Sequence, residues 1–349
     1  MPFDQNSRVG SFVDTVVGGD RARAYIPQPL PPEPSLDLGA LMVLYDRASA
    51  AVGRLDGVTT IFPSTPLFLY MYVRKEALLS SQIEGTQSSL SDLLLFESDE
   101  IPHVPIDDVT EVSNYVAAVE HGVRRLRDGF PLSLRLIREM HAILIKSGER
   151  FMHTSDPGIP PLIKAGLVHV QFETIHPFLD GNGRIGRLLI PLLLHEAGVL
   201  QEPSLYLSLF LRSRRDDYYR LLQEVRREGA WETWLEFFLT GVAETAEQAA
   251  ESAREILALF DQDRQKLSGV GRASSSILRV HEVLQSRPVI SIKAASSLSG
   301  LSFPTVDKAF AKMEEMGLVR ESTGRQRGRV YAYAAYLDLL DRGTDPLSQ

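Results

Sequence analysis

Apolar residues recur at helical spacing from about residue 39 to residue 260. In the first such stretch they lie three or four positions apart, at Leu41, Leu44, Tyr45 and Ala48. This spacing is typical of the buried face of an α-helix. Gly and Pro residues interrupt the pattern, and almost nothing in this region alternates like a strand. We therefore predict a mainly α protein, with about eight to ten helices in this part of the fold.

Two segments depart from the helical pattern. Residues 27–38, PQPLPPEPSLDL, are rich in proline and are predicted to form an extended arm on the surface. Residues 268–276, SGVGRASSS, are small and polar and are predicted to form a linker. We therefore expect an N-terminal region over 1–110 with the arm and a helix at about 70–85, a helical domain over 111–265, and a small domain over 277–340.

The C-terminal region predicts three helices, near 277–286, 292–299 and 303–316, followed by two short strands around a basic turn. This order of elements resembles a winged helix, a variant of the helix-turn-helix module. Ser302, Pro304 and Thr305 would begin its recognition helix. The wing would carry Arg325, Arg327 and Arg329. Contact with DNA and a protein-interaction role both stay open, because the region offers few side chains that read bases.

Composition narrows the chemistry available to the chain. Its 349 residues are enough for two or three domains, and they include no cysteine, which excludes disulfides and thiolate chemistry. The N-terminus lacks the basic and apolar regions of a signal peptide, and the longest apolar run, LLIPLLL, is far shorter than the roughly 20 residues of a membrane span. We therefore predict a soluble cytoplasmic protein that makes no membrane contact.

Charge is distributed unevenly along the chain. The net charge of −8 argues against general nucleic-acid binding. Residues 275–334 nevertheless hold nine Lys and Arg against five Asp and Glu, a balance of +4, so the remainder carries −12. An anionic partner such as DNA is therefore expected, if at all, at the C-terminal region.

Chemistry-bearing residues concentrate in HPFLDGNGRIGR, at 176–187. Pro177 disfavours α conformation at His176, so the preceding helix should end there and leave the imidazole at the mouth of a loop. The next helix should begin near Gly183 and direct its unpaired N–H groups and positive dipole end toward the same space. Gly181 would let an anion approach the backbone, and Asn182 could donate a hydrogen bond to it. The loop therefore predicts a phosphate site.

Three charged residues refine this prediction. Arg184 and Arg187 lie three positions apart, which places them on one helix face as a clamp of two guanidinium groups. Asp180 would repel a phosphate unless a cation lay between them. The sequence therefore predicts a metal ion beside the phosphate.

The same glycines permit another interpretation. Gly181, Gly183 and Gly186 match G-x-G-x-x-G, the turn of a dinucleotide-binding fold. That fold needs strands that alternate with helices, whereas the residues after this loop predict helix upon helix. The context therefore disfavours dinucleotide binding.

The loop resembles the signature of the Fic family, His-x-Phe-x-(Asp/Glu)-Gly-Asn-Gly-Arg-x-x-Arg, and matches it at every specified position. A more general resemblance to the family extends over most of residues 30–245. It implies a Fic-type helical bundle, with the catalytic domain at 111–265. Most members that keep the whole signature transfer AMP from ATP to a hydroxyl side chain of a target protein. The resemblance therefore implies ATP as substrate, Mg²⁺, and a protein target with a modifiable Ser, Thr or Tyr, which the chain itself could supply.

The resemblance also implies a role for each residue of the signature. His176 would be the general base, and Asp180 would hold Mg²⁺. Arg184 would bind the β and γ phosphates and Arg187 the γ phosphate. Tyr218 is expected near the adenine. The full set of nucleotide-binding positions is Asp180, Gly181, Asn182, Gly183, Arg184, Ile185, Gly186, Arg187 and Tyr218.

An inhibitory motif of the family, (Ser/Thr)-x-x-x-Glu-(Gly/Asn), is matched by Ser80, Glu84 and Gly85. Ser81 and Glu84 also match a capping box, but that would need a helix beginning at Ser81. The apolar pattern instead runs helically up to this point, and Gly85 resembles a helix stop. The resemblance implies that Glu84 pairs with Arg187 and so denies that guanidinium to the γ phosphate.

Relatives of the family usually carry several tens of residues, including a β-hairpin flap, between the counterparts of 147–150 and 156–166. Five residues, FMHTS, fill that place here, so either the flap is lost or a stretch of the natural chain is missing. Two other functions stay open: removal of AMP or transfer of another phosphate-containing group at the same site, and a nucleotide-sensing regulator that binds DNA. The sequence likewise leaves open whether the chain forms a homo-oligomer.

Overall fold

Helices dominate the fold, as the spacing of the apolar residues predicts. The computed structural model of the chain describes residues 8–17, 20–60, 65–97, 106–145, 159–271, 273–324 and 328–342. Ten helices lie between Leu38 and Ser268 in these described residues. The mainly α prediction is therefore confirmed. None of the helices in the described part of the chain has the length and apolar character that crossing a membrane requires.

The elements follow one another in three groups. An N-terminal hairpin is formed by β1 (Ser11–Val17) and β2 (Asp20–Ile26). The helical region consists of α1 (Leu38–Thr59), α2 (Thr65–Glu84), α3 (Leu90–Glu97), α4 (Ile106–Arg127), α5 (Leu134–Ile145), α6 (Pro161–Ile175), α7 (Asn182–Glu196), α8 (Ser208–Ser213), α9 (Arg215–Glu228) and α10 (Trp231–Ser268). The C-terminal region consists of α11 (Ser274–Ser286), β3 (Val289–Ser291), α12 (Ile292–Ser299), α13 (Phe303–Glu315), β4 (Arg320–Glu321), β5 (Val330–Ala332) and α14 (Ala334–Asp341).

The chain divides into two compact units. The first comprises Met1–Gly57, Leu79–Thr86 and Ser113–Gln248, and the second comprises Val58–Leu78, Gln87–Val112 and Ala249–Gln349. Both units therefore combine stretches that are distant in sequence. The division expected from the sequence, at residues 110, 265 and 277, stays a prediction.

The core of the first unit brings α6 and α10 close together. Trp234 of α10 is fully buried, and its indole N–H donates a hydrogen bond to the carbonyl of Gly166 in α6 at 3.0 Å. A Cβ at position 166 would lie 2.9 Å from the ring of Phe238, so only glycine allows this approach. The buried Phe172 extends the same core toward the end of α6. This packing fixes the helix end at which the signature loop begins.

The N-terminal hairpin is absent from the sequence-based prediction. Its strands pair antiparallel, with Ser11 opposite Ile26 and Val17 opposite Asp20. The hydroxyl of Tyr25 donates a hydrogen bond to the carbonyl of Arg226 at 2.9 Å, which ties the hairpin to α9. A folded hairpin therefore precedes the proline-rich segment at 27–38.

In the second unit, α11, α12 and α13 accompany a three-stranded antiparallel sheet in the order β3-β5-β4. Tyr331 of β5 stacks on Phe310 of α13 with ring centroids 4.3 Å apart. The buried Tyr333 donates a hydrogen bond from its hydroxyl to Asp263 of α10 at 2.7 Å. These contacts join the sheet to the helices of the same unit.

The basic turn is described only in part. Arg325 and Arg327 lie outside the described residues, as does the FMHTS segment. Arg329 precedes β5, pairs with Asp307 of α13, and donates a hydrogen bond to the Tyr331 hydroxyl at 2.9 Å. A wing that carries all three arginines therefore stays a prediction, and Arg329 already has a carboxylate partner.

Candidate active site

His176 lies directly after the end of α6, where the sequence places it. It adopts a left-handed conformation, with φ 49° and ψ 59°, and its N–H donates a hydrogen bond to the Phe172 carbonyl at 2.9 Å. Among the described residues it is the only non-glycine residue with positive φ. Such backbone is uncommon for a side chain with a Cβ and concentrates at functional sites. The imidazole is 60% exposed, so the loop presents it to solvent.

Contacts beneath the loop hold it in place. Phe178 is buried, its N–H donates to Asn182 Oδ1 at 2.9 Å, and its carbonyl accepts from Asn182 Nδ2 at 2.7 Å. His141 stacks on the Phe178 ring with centroids 3.6 Å apart and donates from Nε2 to the Asp180 carbonyl at 3.0 Å. The Asn182 amide is thus committed to the loop, so this geometry leaves its backbone N–H, rather than its side chain, for an anion.

The loop ends at the N-terminus of α7. The helix begins at Asn182 after Gly181, whose φ is 76°, and no side chain caps its first turn. Uncapped N–H groups and the helix dipole favour an anion there. The Asp180 carboxylate is 70% exposed at this end, accepting from the Gly181 N–H at 2.7 Å and lying 3.4 Å from Nη2 of the buried Arg184.

Arg187 is held by the end of α2. Its guanidinium is 1% exposed and donates from Nε to Ser80 Oγ at 2.8 Å, and from Nη2 to the Ser80 carbonyl at 2.9 Å and to Glu84 Oε1 at 2.6 Å. Gly85 follows with φ 115°, and α2 ends at Glu84. The capping-box interpretation is therefore wrong, because the helix ends rather than begins at this motif.

The Glu84 carboxylate also lies against the first turn of α7. A Cβ at position 183 would lie 2.3 Å from Glu84 Oε1 and 2.9 Å from Arg187 Nη1. Only glycine at 183 leaves room for this carboxylate beside the guanidinium. An anionic group therefore occupies the space between the helix N-terminus and Arg187.

Three residues expected to bind nucleotide are buried in the core. Ile185 is 0% and Tyr218 1% exposed, and Gly186 is also buried. His169 connects two of them: its Nδ1 donates to the Gly186 carbonyl at 2.9 Å, and its Nε2 accepts from the Tyr218 hydroxyl at 2.9 Å. Burial lowers the pKa of His169 to about 4, which keeps this imidazole neutral. Direct contact of Ile185, Gly186 or Tyr218 with a nucleotide stays a prediction. The neighbouring Tyr219 is the ring that reaches the surface, at 39% exposure.

Sequence reasoning missed a carboxyl group beside the loop, that of Glu173. Its side chain is 10% exposed, and its Oε2 lies 4.0 Å from His176 Nδ1. Burial raises the pKa of Glu173 to about 7, although the charge of Arg187 opposes the shift. The position of Glu173, one helical turn before His176, is the sequence signal that could have revealed it.

A metal ion would have to share the site with substrate. No cluster of three or more His, Asp or Glu side chains suited to a metal occurs within the described parts of the chain. Mg²⁺ is usually held through only one or two carboxylates together with water and substrate phosphates. The exposed carboxylate of Asp180, beside an uncapped helix N-terminus, fits that manner of binding.

Comparisons with known proteins agree with the signature. The Fic/DOC family N-terminal model matches residues 42–124, and the Fic/DOC family model matches residues 145–194. The chain is similar to the protein adenylyltransferases Fic of Drosophila yakuba and Drosophila melanogaster, each 35% identical over 83 residues. Those matches cover 24% of this chain and 16% of each relative's length.

The fold also has a solved counterpart. A Fic family protein from Desulfovibrio desulfuricans G20 matches with a TM-score of 0.53 at 19% identity, over 88% of this chain and 98% of that chain. At this identity the likeness concerns the fold alone. The two family matches and the complete signature show that the chain contains a Fic domain.

Proposed function

We propose that this chain is a protein adenylyltransferase, which transfers AMP from ATP to a Ser, Thr or Tyr hydroxyl of a target protein. The observation that carries the proposal is the Glu84 carboxylate, which lies between Gly183 and the guanidinium of Arg187. A carboxylate at this position marks a site built for an anion, and a phosphate of ATP is the anion that the signature implies. The names of the curated relatives support the same activity.

The proposed reaction makes one bond and breaks one. The target's hydroxyl oxygen bonds to the α phosphorus of ATP, and the bond from that phosphorus to the oxygen bridging to the β phosphate breaks. Pyrophosphate leaves with the electron pair. His176 accepts the hydroxyl proton, a role suited to an exposed imidazole because histidine is the side chain used most often as a general base.

Charge on the departing pyrophosphate needs neutralisation. The backbone N–H groups of the first turn of α7, with Arg184 and Arg187, are proposed to supply hydrogen bonds and positive charge to the β and γ phosphates. Asp180 is proposed to hold Mg²⁺, which supplies further positive charge on the phosphates when bound. Gly181 and Gly183 keep this surface clear of side chains.

Glu84 is proposed to restrain the activity. Its bond of 2.6 Å to Arg187 occupies the guanidinium that the γ phosphate needs. Because the Glu84 side chain is 34% exposed, it can leave the site without opening the core. Wild-type protein is therefore expected to be weakly active until α2 moves or Glu84 is replaced.

For the second unit we propose a winged helix that docks a protein or weakly contacts DNA. The three helices α11, α12 and α13 and the following β4–β5 hairpin support this proposal, and β3 adds a strand between α11 and α12 that the sequence did not predict. The pair between Arg329 and Asp307 reduces the positive charge that this face offers to a phosphate backbone.

The test is transfer of label from ATP to protein with Mg²⁺ present. Under the proposal, α-labelled ATP labels the Glu84→Gly protein and γ-labelled ATP does not, because pyrophosphate leaves. His176→Ala in the same background should lose the label, whereas His195→Ala, which changes a histidine at the opposite end of α7, should keep it. Labelling by γ-labelled ATP would indicate transfer of a different phosphate-containing group, and release of AMP from a modified target would indicate the reverse activity.

A further inference from the structure

The proposed reaction leaves one buried acid of the site without a role. The side chain of Glu173 is 10% exposed, and its Oε1 has no hydrogen-bond partner among the described residues. Gly186 of α7 leaves room for it, since a Cβ there would lie 2.2 Å from Glu173 Oε1. A buried carboxyl without a partner is costly, so its position next to the signature loop calls for a functional explanation.

The carboxyl group faces the proposed base. His176 Nδ1 lies 3.3 Å from the Glu173 carbonyl and 4.0 Å from Glu173 Oε2. The second distance is about 1 Å longer than a hydrogen bond, so a small rotation of either side chain would close it. An imidazole that donates from Nδ1 to a carboxylate is fixed in orientation and keeps Nε2 as its basic nitrogen.

The same carboxyl group lies in the field of the inhibitory pair. Burial raises the pKa of Glu173 to about 7; the charge of Arg187 opposes this shift, and that of Glu84 adds to it. Burial raises the pKa of Tyr218 on α9, and the charge of Glu173 adds to that shift. The charges of Glu84 and Arg187 therefore act on Glu173 in opposite directions, and departure of Glu84 would leave the Arg187 charge to favour ionised Glu173.

We propose that Glu173 is a positioning residue for the His176 imidazole and that Glu84 weakens its action by placing a second carboxylate on Arg187. In the restrained state His176 Nδ1 faces the backbone carbonyl of Glu173 at 3.3 Å. When Glu84 leaves the nucleotide-free site, ionised Glu173 accepts the Nδ1–H, which orients the imidazole and keeps Nε2 as its basic nitrogen. The inference rests on the proposed function, and it gives the inhibitory contact a second effect, on the base as well as on the phosphate.

The test is an NMR titration of His176 in the nucleotide-free 349-residue protein labelled at histidine, with the resonance assigned by His176→Gln. Glu84→Gln removes a negative charge with little change in shape. If Glu173 does not respond to Glu84, this change should lower the pH midpoint of the His176 titration, because a stabilising anion is lost. If Glu173 ionises when the Glu84 charge is removed, the midpoint should instead rise by about half to one pH unit, because the new carboxylate lies close to the imidazole.

The double variant Glu84→Gln/Glu173→Gln should abolish the rise. Glu120→Gln, which changes an exposed glutamate on α4, is the matched control and should leave the midpoint unchanged. A lowered or unchanged midpoint in Glu84→Gln, or a rise that persists in the double variant, would overturn the inference. None of these readings depends on transfer activity, so they remain decisive if the proposed reaction fails.

Activity supplies a second readout. In the Glu84→Gly background, Glu173→Gln should lower kcat about tenfold while KM for ATP changes less than about threefold, because positioning the base affects the chemical step rather than binding. The acidic limb of the kcat profile should move to lower pH. A change in KM alone would contradict a positioning role, and absence of transfer in every variant would refute the proposed function without touching the titration.

Discussion

Two arginine–carboxylate pairs of this molecule have the same chemistry but differ in how deeply they are buried. In the first unit Arg187 is 1% exposed and holds Glu84, and in the second unit Arg329 is 33% exposed and pairs with Asp307. A buried guanidinium has lost its water and depends on its partners, whereas an exposed pair contributes little. The comparison indicates that Arg187 is the better candidate for an anion site, because water cannot easily replace a ligand on a buried guanidinium.

The largest expected effect comes from removing the buried member of the first pair. Arg187→Ala in the Glu84→Gly background should lower AMP transfer by about 10³-fold or more, because the γ phosphate loses its guanidinium. Initial rates with α-labelled ATP measure this loss. Arg227→Ala, which changes an exposed arginine on α9, should leave the rate within about twofold. Retention of full activity by Arg187→Ala would remove the distinction between the two pairs.

A smaller loss is expected at the base. His176→Ala should lower transfer by about 10²-fold to 10⁴-fold, since that is the usual contribution of a general base. ATP binding should persist, because the phosphates contact the helix N-terminus and the arginines rather than the imidazole. Isothermal calorimetry with ATP and Mg²⁺ checks the second statement. Loss of binding together with loss of transfer would contradict this division of roles.

Burial of Glu173, near Arg187, also predicts that the stability of the protein depends on pH. The Glu173 pKa of about 7 lies above the ordinary value of 4.5, so the folded state binds this proton more tightly than the unfolded state. The stabilisation is complete below pH 4.5 and is lost as the pH rises through 7. Glu173→Gln has no carboxyl group to ionise and so avoids this loss. The difference in unfolding free energy, Glu173→Gln minus wild type, should therefore increase by about 3 kcal/mol between acidic pH and pH 8.

Urea unfolding of both proteins at several pH values measures this difference. The comparison uses the change with pH, which is independent of any constant cost of the substitution. A difference that stays level between pH 4.5 and pH 8 would show that the Glu173 carboxyl is not desolvated.

The smallest effects are expected at the exposed pair. Arg329→Ala should change the unfolding free energy by no more than about 1 kcal/mol. If the full-length protein binds duplex DNA, the binding should be weak and strongly dependent on salt, and each arginine that contacts a phosphate should contribute about one unit to the salt slope. Arg329→Ala should flatten that slope less than Arg325→Ala or Arg327→Ala, because Asp307 competes for its guanidinium. Gel shifts over a range of salt concentrations measure the slopes, and absence of binding at low salt would leave protein docking as the role of this unit.

The two regions also differ in how far sequence could predict them. Helix ends near the site were predictable from local chemistry: Pro177 placed the end of α6, and Gly85 placed the end of α2. The N-terminal hairpin was missed, although Val16, Val17 and the two glycines that follow give the usual signal of a tight turn between strands. No secondary structure was predicted for the residues before 27, where the proline-rich stretch begins.

Burial within the site could not be predicted from spacing alone. Tyr218 and Tyr219 are adjacent tyrosines, and only the fold decides that the first bonds to His169 in the core while the second reaches the surface. Asn182 carries an amide suited to a phosphate, yet its side chain holds the Phe178 backbone instead. Glu173 acquires its properties from α7 and α2, which approach it from distant parts of the sequence.

The central claim is that the Glu84 carboxylate occupies a phosphate position on Arg187. The most direct measurement compares initial rates of α-label transfer by wild type and Glu84→Gly at equal, saturating ATP and Mg²⁺. The account predicts a rate at least about tenfold higher for Glu84→Gly, because the guanidinium then meets the γ phosphate. Equal rates for the two active proteins would contradict it.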